Sequence, residues 1–415
     1  MITPSHRRLR LAVLLALLPA LNLSPTILAG AEAPAAAAPE AQWVPSWGAA
    51  PQLTEPKNLP PAPGLAGSTL RQTVHLSIGG DRLRVRFSNA FGTGPVTIAA
   101  AAIAMPGALG AIQSGSSRPL TFGGQTAVTI APGALAVSDP VEFAVRPLSD
   151  LTITTFFGAV SRDVTGHPGA RCTSYLQSGD FVSAPVLAGA VTMEHWYLLA
   201  GVEVWSAHPA GVLAILGDSI TDGRGSTTDQ NRRWPDDLAR RLQADARTAG
   251  IGVLNQGIGG NRLLHDGLGP AALARLDRDV LEQNGVRWLI VFEGVNDIGT
   301  APKDQPGDVA QQIIAAYQQI IDRAHARRIR VLGATITPFG KSFYDSPAHE
   351  TNRATVNQWI RTSGRFDGVI DFDAAARDPA EPTRLAPAVD SGDHLHLSDK
   401  GYEVLAGAVS LDELR

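Results

Sequence analysis

Cysteine is almost missing from this chain: Cys172 stands alone among 415 residues, which excludes an internal disulfide, a cysteine-based zinc site and a thiol redox pair. A lone cysteine of this kind reads as a small buried hydrophobe. No run of Lys or Arg follows the N-terminal residues and the formal net charge is −4. The basic surface that neutralises phosphates is therefore lacking, and nucleic acid is not an expected partner. No apolar run reaches the ~20 residues that a membrane-spanning helix needs. Internal repeats and a collagen period are absent too, although 42 glycines and 29 prolines mark a turn-rich chain. With 44% hydrophobic and 18% charged residues the chain is not intrinsically disordered. Its length suits two domains, each with its own core.

The N-terminus carries His6, Arg7, Arg8 and Arg10, then the apolar stretch LAVLLALLPALNL, then small residues around Ala29-Gly30-Ala31. A basic region, a short apolar region and an A-x-A site form a secretory signal peptide, expected over 1–31, and they predict a periplasmic or secreted protein without stable membrane insertion once the signal is removed. The small-residue segment 32–42 reads as a linker. From Trp43 to about Ala200 short runs alternate with period two, as in Leu70, Val74, Leu76 and Ile78, then Gly79-Gly80-Asp81, then Leu83, Val85 and Phe87 with Arg82, Arg84 and Arg86 between them. That pair reads as a hairpin, and 43–200 as an all-β, jelly-roll-like sandwich. From about 205 to 415 the strands GVLAIL, IGVLN, RWLIVF and RIRVLGAT alternate with helical stretches, the pattern of an α/β domain with a mainly parallel sheet. Pro235 fits the first turn of a helix carrying Leu238 and Leu242, and Ile313, Ile314, Tyr317, Ile320, Ile321 and Ala324 make one apolar stripe.

In open α/β sheets reactive groups collect at the carboxyl ends of the strands. The residues that follow these strands are GDSITDG from Gly217, QGIGGNR from Gln256 and EGVND from Glu293, and DHLHLS from Asp393 lies near the C-terminus. They supply a serine, glycine backbone donors, a side-chain amide and an Asp/His pair, which together are a nucleophile, an oxyanion hole and an oriented base. A dinucleotide fingerprint in GIGGNR fails because Arg262 replaces the third glycine and Asp277 falls in a helical stretch. A metal site on His394 and His396 lacks a third ligand at metal spacing.

With GDSITDG, NQGIGGN, GVND and DHLH in this order, the chain from about Val212 to Tyr402 resembles the SGNH (GDSL) hydrolase family. Together with GSTTDQNRRWPD, HDGLGPAALARLDRDV and the preceding β-region, it is similar to the two-domain arylesterase-like and acylhydrolase branch associated with plant-polysaccharide degradation. The resemblance implies a flavodoxin-like three-layer fold, serine esterase activity and no cofactor. It also implies Ser219 as nucleophile, His396 as general base, Asp393 as its orienting carboxylate, and an oxyanion hole from the N–H groups of Ser219 and Gly260 with the amide of Asn296.

The expected reaction is hydrolysis of small-molecule or polysaccharide esters through an acyl-enzyme, with small acyl groups such as acetyl on carbohydrate or aryl alcohols. A lysophospholipase or thioesterase would use the same groups, and a carbohydrate-binding protein with a non-catalytic α/β domain is the rival from another class. Outside the core set, Asp222 is expected to fix the loop after Ser219 through backbone hydrogen bonds. His394 is expected at the surface or shaping the pocket, His265-Asp266 at the rim, and Trp234 and Tyr344 as buried packing aromatics.

Overall fold

The alternating runs become strands whose apolar residues point inward: Leu83, Val85 and Phe87 of Gly80–Ser88 are fully buried, while Arg82, Arg84 and Arg86 between them stay part-exposed. In the computed structural model these residues belong to a described region of 41–303 and 308–415, together with Met1. Apart from Met1, the expected signal peptide lies outside the described residues, as does all but the end of the expected linker. Gly80–Ser88 sits in an antiparallel sheet with Leu199–Ser206, Leu135–Val137 and Val141–Val145, and Gln42–Gly48 forms its edge beside Leu199–Ser206. A second antiparallel sheet runs Val191–Met193, Ser174–Ser178, Ser68–His75, Asp150–Phe157, Val96–Ala104 and Arg118–Pro119, and Val128–Ile130 pairs with its Val96–Ala104 strand. The two pack face to face around one core with Leu70, Val85, Ile103 and Ile153 among its buried members. A third, small sheet joins Trp196–Tyr197, Thr165–His167 and Gln52–Leu53.

The hairpin expected at Gly79-Gly80 does not form, because Ser68–His75 and Gly80–Ser88 lie in opposite sheets. Between them Leu76 N–H bonds to Ser149 O, and Ser77 N–H to Ser46 O, so the chain leaves one sheet and joins the other. A Cβ at Gly79 would lie 2.5 Å from Val145 O, so the Gly pair makes a crowded corner instead of a two-residue turn. Period-two patterning is the same on either side of such a corner, which is why it cannot separate the two.

The four long apolar runs form parallel strands at Gly211–Gly217, Ile251–Gly257, Val286–Phe292 and Arg330–Ala334, and a short fifth at Gly368–Ile370 completes the sheet. Their order, second, first, third, fourth, fifth, is the flavodoxin-like one, with a switch point at the carboxyl end of the first strand. Strand residues divide between two helical layers: Leu213 and Ile215 pack with Leu238, Leu242 and Leu405, whereas Ala214 and Leu216 pack with Ile313, Ile320 and Val356. These partners come from helices Trp234–Ala244, Asp399–Ala408, Val309–Ala326 and Pro347–Thr362. Pro235 is in the first turn of its helix, and the stripe from Ile313 to Ala324 is buried, as the spacing predicts.

The edge strand Ile251–Gly257 would expose a row of unpaired groups. It is covered by the first β-sheet: Val253 N–H bonds to Ser77 Oγ at 2.9 Å, and Val212 and Leu254 are buried in the core of the sandwich. Cys172 is buried as expected, and that burial pushes its thiol up to about 12.

Candidate active site

The strand Gly211–Gly217 ends at the switch point and runs straight into Asp218 and a one-turn helix, Ser219–Asp222. Asp218 caps that turn, its Oδ1 accepting from Ile220 N–H at 2.9 Å, and Gly223 closes it at φ +91°, a conformation glycine takes without strain. Ser219 is thus held at the carboxyl edge of the sheet with its Oγ 2.8 Å from His396 Nε2. On the other side of the ring, His396 Nδ1 lies 2.7 Å from Asp393 Oδ2, while Asp393 Oδ1 accepts from His396 N–H at 2.8 Å and Leu395 N–H at 3.1 Å. A carboxylate only accepts here, so the hydrogen sits on Nδ1 and Nε2 is free to take one from the serine.

The electrostatics fit that arrangement. Burial lowers the pKa of His396 below the usual histidine value, and the charges of Arg224 and Arg171 add to the lowering, while Asp393 opposes it. Burial would raise Asp393, but the backbone and ring donors of His396 outweigh it and bring the carboxyl down to about 2. At neutral pH His396 is unprotonated and Asp393 ionised.

Gly260 and Asn296 line the same cleft as Ser219 and His396. Gly260 lies in a turn closed by Asn261 N–H to Ile258 O, at φ +73°. Asn296 opens a short helix, Val295–Gly299, after the third strand. Its Nδ2 donates to Asn261 O at 2.8 Å and its Oδ1 accepts from Tyr344 Oη at 2.9 Å, which leaves one Nδ2 hydrogen for a further acceptor. The structure therefore brings Ser219, His396, Gly260 and Asn296, residues far apart in the chain, around one cleft of about 390 Å³, with Asp393 behind the His396 ring.

Several residues missed by the sequence reading hold this geometry. Arg275 is fully buried and donates to Asn261 Oδ1 at 2.9 and 2.8 Å, to Gln256 O at 2.7 Å and to Gly217 O at 3.1 Å, so one guanidinium ties two strand ends to the loop that carries Gly260. It also faces Asp279 at 3.1 Å and Glu293 at 3.4 Å. Asp297 clamps the far side of the loop by accepting from Leu263 and Leu264 N–H at 2.8 and 3.0 Å. Burial raises the carboxyls of Asp218, Glu293 and Asp297, and mutual repulsion reinforces it at Asp218 and Glu293. An Arg in an apolar helical stretch was the available signal, since such a residue needs buried partners.

Two expectations are corrected. Asp222 does not fix the loop by backbone hydrogen bonds, a task that falls to Asp218; its Oδ1 instead lies 2.8 Å from His167 Nε2, on the small β-sheet. A Cβ on Gly169 would lie 1.7 Å from Asp222 Oδ2, so only glycine lets that loop approach. Tyr344 is not a packing aromatic but a half-buried cleft residue bonded to Asn296. Trp234 is wholly buried, and His394 turns away to Asp390, 2.6 Å from its Nδ1, with a side chain 45% exposed. His265 is exposed, and Asp266 accepts from Ala271 N–H at 2.8 Å. Among the described residues no group of three or more His, Cys, Asp or Glu is placed to hold a metal ion.

The β-region also lines the cleft, through Gln52, Glu55, Lys57, Asn58, Arg171 and His195, together with Leu268, Phe343 and Tyr344 from the α/β part. Residues 215–404 match the model of the GDSL-like lipase/acylhydrolase family. No curated protein matches the chain. Among solved structures, a catalytic mutant of an acetylxylan esterase from Geobacillus stearothermophilus is 22% identical, with 50% of this chain and 94% of that one covered at a TM-score of 0.39. A carbohydrate acetylesterase from Sinorhizobium meliloti is 15% identical over 48% and 95% at 0.37, and a GDSL-like lipase from Bacteroides thetaiotaomicron is 16% identical over 49% and 88% at 0.36.

Proposed function

We propose that this chain, whose residues 215–404 match the GDSL-like lipase/acylhydrolase family, is a serine carboxylic-ester hydrolase that works through an acyl-enzyme on Ser219 with small acyl groups. The observation that carries this is the line Asp393, His396, Ser219, with contacts of 2.7 and 2.8 Å, beside Gly260 and Asn296. Ser219 Oγ attacks the ester carbonyl as its proton passes to His396 Nε2, and Asp393 stabilises the resulting imidazolium. The carbonyl oxygen, now an oxyanion, takes hydrogen bonds from the N–H groups of Ser219 and Gly260 and the free Nδ2 hydrogen of Asn296. Collapse breaks the bond to the alkoxy oxygen, which leaves as the alcohol with the proton of His396. Water then attacks the acyl-serine by the same route and releases the acid.

Short acyl groups fit the shallow apolar wall, where Phe343 is 62% exposed beside half-buried Tyr344. A carbohydrate or aryl alcohol suits the polar lining from the β-region. The sequence of the N-terminus supports export, and no described helix is long and apolar enough to cross a membrane. Hydrolysis of p-nitrophenyl acetate, butyrate and octanoate tests the acyl preference. We expect kcat/KM to fall by about tenfold or more from acetate to octanoate; a flat or rising series would instead assign the cleft to lipid acyl chains.

A further inference from the structure

The cleft carries positive charge on Lys57 and Arg171 of the β-region and on Arg224 of the α/β part. Lys57 and Arg224 are exposed cleft residues with no carboxylate in ion-pair contact among the described residues. Arg171 is held at φ +50°, a strained value for a residue with a Cβ, and its nearest carboxylate oxygen is Asp222 Oδ2 at 3.5 Å. That carboxylate is already bonded. His167 Nδ1 lies 2.9 Å from Ala50 O, and a carbonyl only accepts, so Nδ1 bears a hydrogen. Its Nε2 lies 2.8 Å from Asp222 Oδ1, so one oxygen of that carboxylate is taken by His167 and the other faces Arg171. The other acid of the cleft, Glu55, accepts from Gln52 Nε2 at 2.7 Å and Asn58 Nδ2 at 2.9 Å and offsets one cation. Three cations thus face two carboxylates, each already bonded to other side chains.

Their position says which part of an ester they meet. His396 delivers its proton to the departing alcohol, so the alcohol lies on the His396 side of Ser219. Arg224 starts on that side, its N–H donating to Ser219 O at 2.9 Å and its C=O accepting from Tyr402 Oη at 2.5 Å. The charges of Arg224 and Arg171 are both felt at His396. The apolar residues Leu268, Phe343 and Tyr344 lie with Gly260 and Asn296, which leaves them to the acyl group.

We propose that the substrate is an ester whose alcohol part bears an anionic group, a carboxylate or a phosphate, held by Arg171, Arg224 and Lys57. This rests on the esterase reading and adds the chemistry of the leaving group to it. The phenolic acetates 4-acetoxybenzoate, its neutral methyl ester and 4-acetoxyphenyl phosphate test it on the full-length protein, each kcat/KM being divided by the rate of hydroxide-catalysed hydrolysis. One charge-assisted contact corresponds to about tenfold in such a ratio. The wild type is expected to favour at least one anionic ester over the methyl ester by about tenfold or more, and to lose that preference in about 0.5 M salt. Preference for the carboxylate or for the phosphate ester identifies which anion the site takes. Arg224→Gln and Lys57→Gln, both exposed, and Arg171→Gln should each lower the anionic-to-neutral ratio severalfold, with Arg224→Glu lowering it further. Equal or better hydrolysis of the neutral ester by wild type, or an unchanged ratio in all variants, would overturn the proposal. Hydrolysis of none of the three by folded protein would overturn the esterase reading, and this inference with it.

Discussion

In the proposed mechanism Ser219, His396 and Asp393 act on one proton, so their removal should not be additive. His396→Ala is expected to abolish ester hydrolysis about as completely as Ser219→Ala, whereas His394→Ala, whose ring is bonded to Asp390, should keep most of it. Asn296→Ala should lose about 10² to 10³ in kcat, the usual effect of removing one oxyanion donor. The direction of the His396 shift sets the pH dependence. The base works unprotonated, and burial together with Arg224 and Arg171 lowers its pKa, so the acidic limb of kcat/KM should have its midpoint below the ordinary histidine value of ~6.5. Arg224→Gln removes a positive charge, favours the imidazolium and should move that limb to higher pH on a neutral ester. A limb that stays put, or moves down, would contradict the assignment of His396 as base.

At the scale of elements, the catalytic loops are set by what is bonded beneath them. Arg275 joins the ends of strands Gly211–Gly217 and Ile251–Gly257 to Asn261 and faces Asp279 and Glu293. Arg275→Met leaves Glu293 without its cation, while Asp279 keeps Arg278 at 2.6 Å, and about 3 to 5 kcal/mol of stability should be lost in denaturant unfolding at neutral pH. The loss should shrink toward acid. Folded Glu293 and Asp218 already have raised pKa values, so protonation removes the unpaired charge before it does in the unfolded chain. These elements also show what a sequence reveals. The four long apolar strands and the stripe of helix Val309–Ala326 were legible because a buried parallel sheet and an amphipathic helix leave distinct periods. The three-residue strand Gly368–Ile370 is too short to leave one. The Gly79-Gly80 corner was misread because period two carries no record of which sheet a strand joins. The gathering of Ser219, Gly260, Asn296, Asp393 and His396 was legible because each follows a strand or ends the chain in a recognisable block, whereas Arg275, Asp297 and the His167–Asp222 contact depend on pairings across up to 58 positions that no local pattern encodes.

For the whole molecule, the sandwich is part of the enzyme's construction. It buries Val212 and Leu254, covers the edge strand Ile251–Gly257 and lines part of the cleft. A chain begun at Gly211 would expose that apolar edge, so it is expected to aggregate; a soluble monomer with full esterase activity would show that this lining is dispensable. Gly169→Ala should weaken both packing and turnover, because its Cβ meets Asp222 beside the nucleophile, and parallel losses in denaturation midpoint and kcat/KM would register this. The central claim is that Ser219 is the nucleophile of an ester hydrolase. Its most direct test is p-nitrophenyl acetate hydrolysis by the purified protein beside Ser219→Ala, with folding checked by circular dichroism. The account predicts turnover by the wild type and a loss of at least about 10⁴-fold in the variant; a folded Ser219→Ala protein that hydrolyses the ester at a rate near that of the wild type would contradict it.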